Sequence, residues 1–205
     1  YVLTGTLTNS GTITSQVLAP ATSGTRLLQG NLTNSGTIQI NTNSSDSWSS
    51  PIIQNTGTIG IADGITFSVP NSPVFTNSVN GMIKGSGIST TGLIYLGQIG
   101  VPGSGGSFNA HGGKTSGIQP VVIDNGQLDF TAGGASVFGL RGNYVKLTGN
   151  PGTGQVLNIE STCNENTFAT SQGNFTNSGT IALTNADTCG NNATLTLNIF
   201  GTGTL

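Results

Sequence analysis

Carboxyl pairs are the first place to look for chemistry in this chain. Glycoside hydrolysis needs two of them at a defined separation, one of them often with a raised pKa. The best-placed pair is Asp124 and Asp129 in "IDNGQLDF" (122–130), with Arg141 and Lys146 downstream as candidate charge stabilisers. The two acids stand on either side of an Asn-Gly turn, so their side chains need not face one site. The plain alternative is a turn-capping Asp124 and a solvated strand residue at Asp129. Asp46, Asp63, Glu160, Glu165 and Asp187 mostly stand beside Ser, Gly, Asn or Thr and read as turn residues. His111 in "NAHGGK" has no matching Ser or Cys nucleophile motif, and G-x-S-x-G is absent, so it reads as a loop residue. "GSGGS" (103–107) is Gly-rich but lacks the Gly-Lys-Ser/Thr ending of a phosphate loop. None of these residues calls for a cofactor or a metal. The expectation is a chain that is not an enzyme, with a polysaccharide lyase or glycoside hydrolase as the alternative.

Binding chemistry is harder to set aside. The polar stretch "NTNSSDSWSS" (41–50) carries the sole tryptophan, Trp48. Exposed, Trp48 offers a face on which a sugar ring can stack; folded back, it seals an apolar interior instead. Short threonine runs ("TLT", "TIT", "TLTL") raise a third possibility, an ice-binding surface, but no sustained Thr-x-Thr recurs at one position.

The elements that must carry these residues are written in a repeat. "LTNSGTI" stands at 7–13 and 32–38, "FTNSGTI" at 175–181 and "IQNTGTI" at 53–59. Apolar residues alternate with polar ones, the period of a half-buried strand, and Asn-Ser-Gly between them is expected to form a turn in which Gly adopts left-handed dihedrals without a side-chain clash. The asparagines are expected to serve the turn, through their tolerance of left-handed dihedrals. Helix is disfavoured by the Gly, Thr, Ser and Asn content. Units of roughly 20–30 residues with short strands and turns are the signature of a solenoid, since one unit cannot bury its own apolar face and stacked units can. The fold class expected is all-β, a right-handed parallel β-helix (β-solenoid) with coils of about 20–26 residues; a β-sandwich is the alternative. Leu7, Ile13, Leu32, Ile38, Ile59, Phe175, Ile181 and Leu183 should point inward and the intervening threonines outward. The whole of 1–205 reads as one solenoid module, with 60–104 as less regular coils or inserted loops.

"ESTCNEN" (160–166) and "ADTCGNN" (186–192) align with each other, cysteine on cysteine. If their offset is one coil, Cys163 and Cys189 lie on neighbouring rungs, within reach of a disulfide. Two free buried thiols are the alternative; a zinc site would find only His111 to help. A disulfide in turn points to an oxidising, extracellular setting.

Composition narrows the partners. Asp, Glu, Lys and Arg make up 6% of the chain and the net charge is −2, against about 25% charged residues in an ordinary domain. The five basic residues form no patch, which argues against nucleic acid. No apolar run approaches the ~20 residues of a spanning helix, so membrane insertion is not expected. The chain starts without Met and shows no signal peptide, and reads as a mature piece or an excised segment. Thr4-Gly5-Thr6-Leu7 returns as Thr202-Gly203-Thr204-Leu205, which suggests one module of a tandem array whose partners are neighbouring copies end to end.

"LTNSGTI", "GGSFNAHGGKTSG" (105–117), "ESTCNEN" and "ADTCGNNATL" together resemble the repeat modules of large secreted β-helix proteins of actinobacteria and, more distantly, filamentous-haemagglutinin-type adhesins. The resemblance is best at 1–60 and 105–205. It implies a right-handed parallel β-helix on the cell exterior, acting as stalk, spacer or adhesive surface with surface glycans or a receptor as possible partners. It supplies no catalytic residues.

Overall fold

The computed structural model describes residues 2–17, 26–87, 92–132 and 134–196. All regular structure in them is β, and the strands stack in parallel into three sheets that wrap one apolar column. The first sheet holds nine strands, from Val2–Thr4 to Thr180–Asn185. The second also holds nine, from Leu7–Asn9 to Ala193–Thr196. The third holds five, from Thr12–Ser15 to Lys114–Ser116. Every pairing between these strands joins one coil to the next, which makes the chain a parallel β-solenoid of about eight turns.

The interior is built from columns of like residues. Leu7, Leu32, Ile53, Phe75, Phe108, Leu128 and Leu147 are successive register partners in the second sheet. Ile13, Ile38, Ile59 and Ile83 form the matching column of the third. Phe75 stacks on Phe108 with ring centroids 5.1 Å apart, and Phe138 packs edge-on to Phe108. Alternation does the rest: each strand turns every second side chain into the column.

The repeated asparagine has a different job from the one its turn context suggests. Asn9, Asn34 and Asn55 are buried and none has a positive φ. Their side chains point into the corner between the second and third sheets and form a ladder: Nδ2 of Asn9 donates to Oδ1 of Asn34, Asn34 to Asn55, and Asn55 to Asn77, each at 2.8 Å. The same Nδ2 groups reach third-sheet carbonyls, Thr37 at 3.1 Å and Thr58 at 3.2 Å. The glycine is likewise there for close approach rather than for a left-handed φ. A Cβ on Gly36 would stand 2.1 Å from the Gly11 carbonyl oxygen, and one on Gly57 2.1 Å from that of Gly36.

The coil is not uniform. In the first sheet the longest steps carry Thr66 to Leu93 and Ile94 to Val121. The step then contracts, reaching only from Val121 to Phe138 and from Ser136 to Gln155. This contraction comes after the last third-sheet strand, Lys114–Ser116, although the early step from Arg26 to Ser44 is just as short with a third-sheet strand, Thr37–Ile40, inside it. Residues 60–104 contain strands Thr66–Val69, Val74–Asn77, Met82–Gly85 and Leu93–Leu96 in the same sheets.

Seven of the eight residues expected to face inward line the core or pack against it, and Thr8, Thr33 and Thr176 are exposed. Leu183 is the correction: it stacks on fully buried Ile159 yet is 56% exposed, because its strand is the last of the first sheet. The "FTNSGTI" copy also changes place. Its Thr180 and Ile181 enter the first sheet, beside Val156 and Leu157, while the other copies send theirs to the third. Asn177 is exposed, outside the ladder, its Oδ1 accepting a turn N–H from Gly179 at 3.0 Å. The Thr202–Leu205 echo lies outside the described residues.

Candidate functional site

Titratable side chains gather on the outer face of the first sheet. Strands Val121–Asp124, Ser136–Arg141 and Gln155–Ser161 are consecutive, and their pairing puts Asp124, Arg141 and Glu160 side by side. Their neighbours Ile123, Leu140 and Ile159 point into the core, so period-two alternation sends the three charged residues outward. Outward here does not mean exposed. Asp124 and Val122 have no accessible surface and Glu160 is buried.

Two devices hold this face closed. The Gln119 side chain lies across the strands: its Nε2 donates to Glu160 Oε2 at 3.0 Å and its Oε1 accepts from Asn158 Nδ2 at 2.8 Å. Gly139 makes room for it, since a Cβ there would meet Gln119 Nε2 at 2.1 Å. At the next corner Asn125 adopts a left-handed φ of 54°. Its Nδ2 donates to Asp124 Oδ1 at 2.7 Å and to the Gln98 carbonyl at 3.3 Å.

The charges divide unevenly. Arg141 forks onto one oxygen of Glu160, Nη2 at 2.9 Å and Nε at 3.0 Å. The Tyr95 hydroxyl donates to Asp124 Oδ2, and burial together with that carboxyl pushes the phenol's pKa up. Glu165, on the segment after Cys163, is 8% exposed and lies against Asp124, the Gly100 main-chain N–H and the Asn125 amide. Neither of its oxygens makes a hydrogen bond of normal geometry. Burial first, and the facing Asp124 second, raise its pKa. The arrangement can hold a proton between carboxyl groups, and Asp124 itself has no accessible surface to offer a substrate.

The residues singled out from sequence scatter. Asp124 is in this cluster, but Asp129 projects from the second sheet, paired there with Asn109 and 3.9 Å from His111 Nε2. His111 ends strand Ser107–His111 rather than sitting in a loop. Lys146 is exposed on the second sheet beside Gln127, whereas Asp124 and Arg141 belong to the first. Cys163 and Cys189 form a disulfide with a Cα separation of 4.9 Å. Asp187 steadies the bridge, accepting the main-chain N–H of both cysteines. Trp48 is 46% exposed, beside a shallow groove of about 420 Å³ lined by Ser47, Ser49, Asn71 and Gln98.

Three acids assigned to turns are buried instead. Glu160 is a strand residue and Glu165 is clamped over the sheet. Asp46 ends strand Ser44–Asp46 in the inward column between Leu28 and Val69. Its Oδ1 accepts the Trp48 N–H, its Oδ2 is buried without a partner, and burial raises its pKa. The signal that sequence reading missed is the spacing of Asp124, Arg141 and Glu160. They stand closer along the chain than the coil expected from the repeat, and they match the shortened coils of this region. Comparison with protein-family models, curated proteins and solved structures finds no match to this chain.

Proposed function

We propose that this chain is a non-catalytic structural module, a rigid spacer within a larger extracellular β-solenoid protein of the secreted bacterial kind its repeats resemble. The observation that carries the reading is the rung-on-rung ladder of Asn9, Asn34, Asn55 and Asn77 above matched isoleucines. Each rung presents the amide and apolar column that the next rung needs, so length is gained by repetition without new contacts. A neighbouring copy, end to end, is the natural partner. The Cys163–Cys189 bridge suits an oxidising exterior. A polysaccharide-cleaving role is weakened because Asp124 and Asp129 stand on different sheets.

Small-angle scattering on two copies joined in tandem tests the reading. Nine strands at the cross-strand spacing make each copy about 40 Å long, and the pair should be a straight rod of twice that length. A compact or freely jointed pair rules the spacer out. Glycan binding is the second reading, favoured by exposed Trp48 beside its polar groove. Trp48 fluorescence that responds saturably to a soluble oligosaccharide would support it.

A further inference from the structure

The groove beside Trp48 is one half of a longer furrow. It is bounded by the corner segments at which three consecutive rungs pass from the first sheet to the second, around Ser47, Asn71 and Gln98. A second groove, about 360 Å³, continues along the same corner through the next two rungs to Tyr144 and Lys146. Pro102 borders both grooves. An exposed aromatic residue stands at each end: Trp48, flanked in the chain by the lining residues Ser47 and Ser49, and Tyr144, 55% exposed. The rung of Tyr144 lies four first-sheet steps beyond that of Trp48, about 19 Å at the cross-strand spacing. Between the two ends the lining is hydroxyl, amide, glycine, proline and one valine, and Lys146 is its only charged group among the described residues. The corner is also rigid. The Ser50 N–H donates to the Asn71 carbonyl at 2.9 Å, the Ser72 N–H to the Ser104 carbonyl at 2.7 Å, and Asn71 Nδ2 to the Ser47 carbonyl at 3.0 Å. Ser50 and Ser72 are held there at left-handed φ of 51° and 49°, a conformation that costs a residue with a side chain.

We propose that this corner is a binding track for a single linear oligosaccharide, laid along the solenoid axis with one sugar ring stacked on Trp48 and another on Tyr144. A pyranose has an apolar C–H face and a rim of hydroxyls. The aromatic rings take the face, and the serine, asparagine and glutamine groups between them take the rim. A preformed, rung-locked floor spares the ligand the cost of ordering its site. An extended peptide fits less well, because the main-chain N–H groups of Ser50 and Ser72 are already spent on the neighbouring rung and leave no strand edge to extend. A nucleic-acid strand would find one lysine for its row of phosphates. Since the rungs fix the two rings about 19 Å apart, a single sugar reaches only one of them. Affinity therefore grows with chain length until both are spanned. Lys146, beside Tyr144 in the lining, lets a carboxylated sugar occupy that end. This deepens the glycan reading and rests on it, and it does not depend on the spacer reading.

A glycan array of linear neutral and uronic-acid oligosaccharides of graded length selects the probe, and isothermal titration calorimetry of the full chain measures it. The constituent monosaccharide should show no saturable binding, and Kd should fall with added units to a plateau. Trp48→Ala and Tyr144→Ala should each weaken the longest probe about tenfold. Val79→Ala, exposed on the turn between strands Val74–Asn77 and Met82–Gly85 and so at a different corner, should leave it unchanged. Both aromatic residues are exposed, so the variants should keep the fold, which circular dichroism checks. Loss of binding in Trp48→Ala but not in Tyr144→Ala, with an affinity indifferent to length, overturns the track and leaves a local glycan site at Trp48 standing. An array without a ligand, together with Trp48 fluorescence that no oligosaccharide moves, overturns both.

Discussion

Replacing Asn34 by alanine removes the second rung of the amide ladder from a site with no accessible surface. Two amide–amide bonds of 2.8 Å disappear, one from Asn9 and one to Asn55, together with the 3.2 Å bond to the Thr58 carbonyl. A net hydrogen bond is worth about 0.5–1.5 kcal/mol, and a buried group left unpaired costs about 1–3 kcal/mol. Asn9 Nδ2 keeps the carbonyls of Gly11 and Thr37, so the stranded group is Asn55 Oδ1. The expected loss is about 2–5 kcal/mol, which for a chain of this length lowers Tm by roughly 4–20 °C. Asn177→Ala is the internal control. It occupies the same place in the same heptapeptide but is exposed and serves one turn bond from Gly179, so its cost should stay below about 1 kcal/mol. Asn34→Asp should be worse than Asn34→Ala, since it keeps an acceptor, loses the donor and buries a carboxyl. Thermal and urea denaturation followed by circular dichroism measure all three. Equal losses from Asn34→Ala and Asn177→Ala would refute the claim that the ladder, rather than the bend, explains why the heptapeptide recurs.

Three further outcomes are expected. Asp46 has a folded pKa raised above its ordinary 3.8, so its protonated form is favoured by folding; stability should be greatest below pH 3.8, fall as pH rises through the raised value, and stay low above it. Asp46→Asn should flatten that part of a Tm-against-pH curve and raise Tm at neutral pH, leaving any fall that Glu165 contributes with the same sign; an unchanged curve would count against the assignment. Reducing the Cys163–Cys189 bridge, which closes a separation of 26 residues, should cost about 3–4 kcal/mol in the chain-entropy model and add two hydrogens to the intact mass; thiols that label without reductant would contradict the bridge. Gly57→Ala should fail to fold or melt far below the parent, because its Cβ would sit 2.1 Å from a carbonyl oxygen, whereas Gly11→Ala meets nothing within 4 Å and should be mild; equal expression and melting of the two would show that the rungs can spread.

Much of the fold is legible in spacing. Alternation around "NSGTI" locates the strands, the intervals from Asn9 to Asn34 to Asn55 locate the rungs, and the interval from Cys163 to Cys189 locates the disulfide. All of these are properties of one coil and its neighbour. The candidate site is hidden for the same reason. Asp124, Arg141 and Glu160 come together only after the third sheet ends and the coil shortens, a change that no local pattern announces. Glu165 is harder still: its neighbours Asn164 and Asn166 make it look like a turn, and only the segment's fold-back over the sheet buries it.

The third "TNSGTI" shows what a repeat can and cannot encode. Its glycine still meets the rung below: a Cβ on Gly179 would stand 2.5 Å from the Gln155 carbonyl oxygen. The bend and the following strand therefore form wherever the heptapeptide is written. The ladder does not, because it needs two things from elsewhere: a second asparagine one coil away in register, and a third-sheet carbonyl for the spare N–H. The main-chain N–H groups of Thr176 and Ser178 instead donate to the Asn150 side chain and the Pro151 carbonyl, in a segment that carries no copy of the repeat. Which face a copy occupies is set by the summed length of the coils before it. Restoring the ladder at Asn177 would thus require changing the rung beneath it and the width of the coil, and no substitution within the heptapeptide itself should suffice.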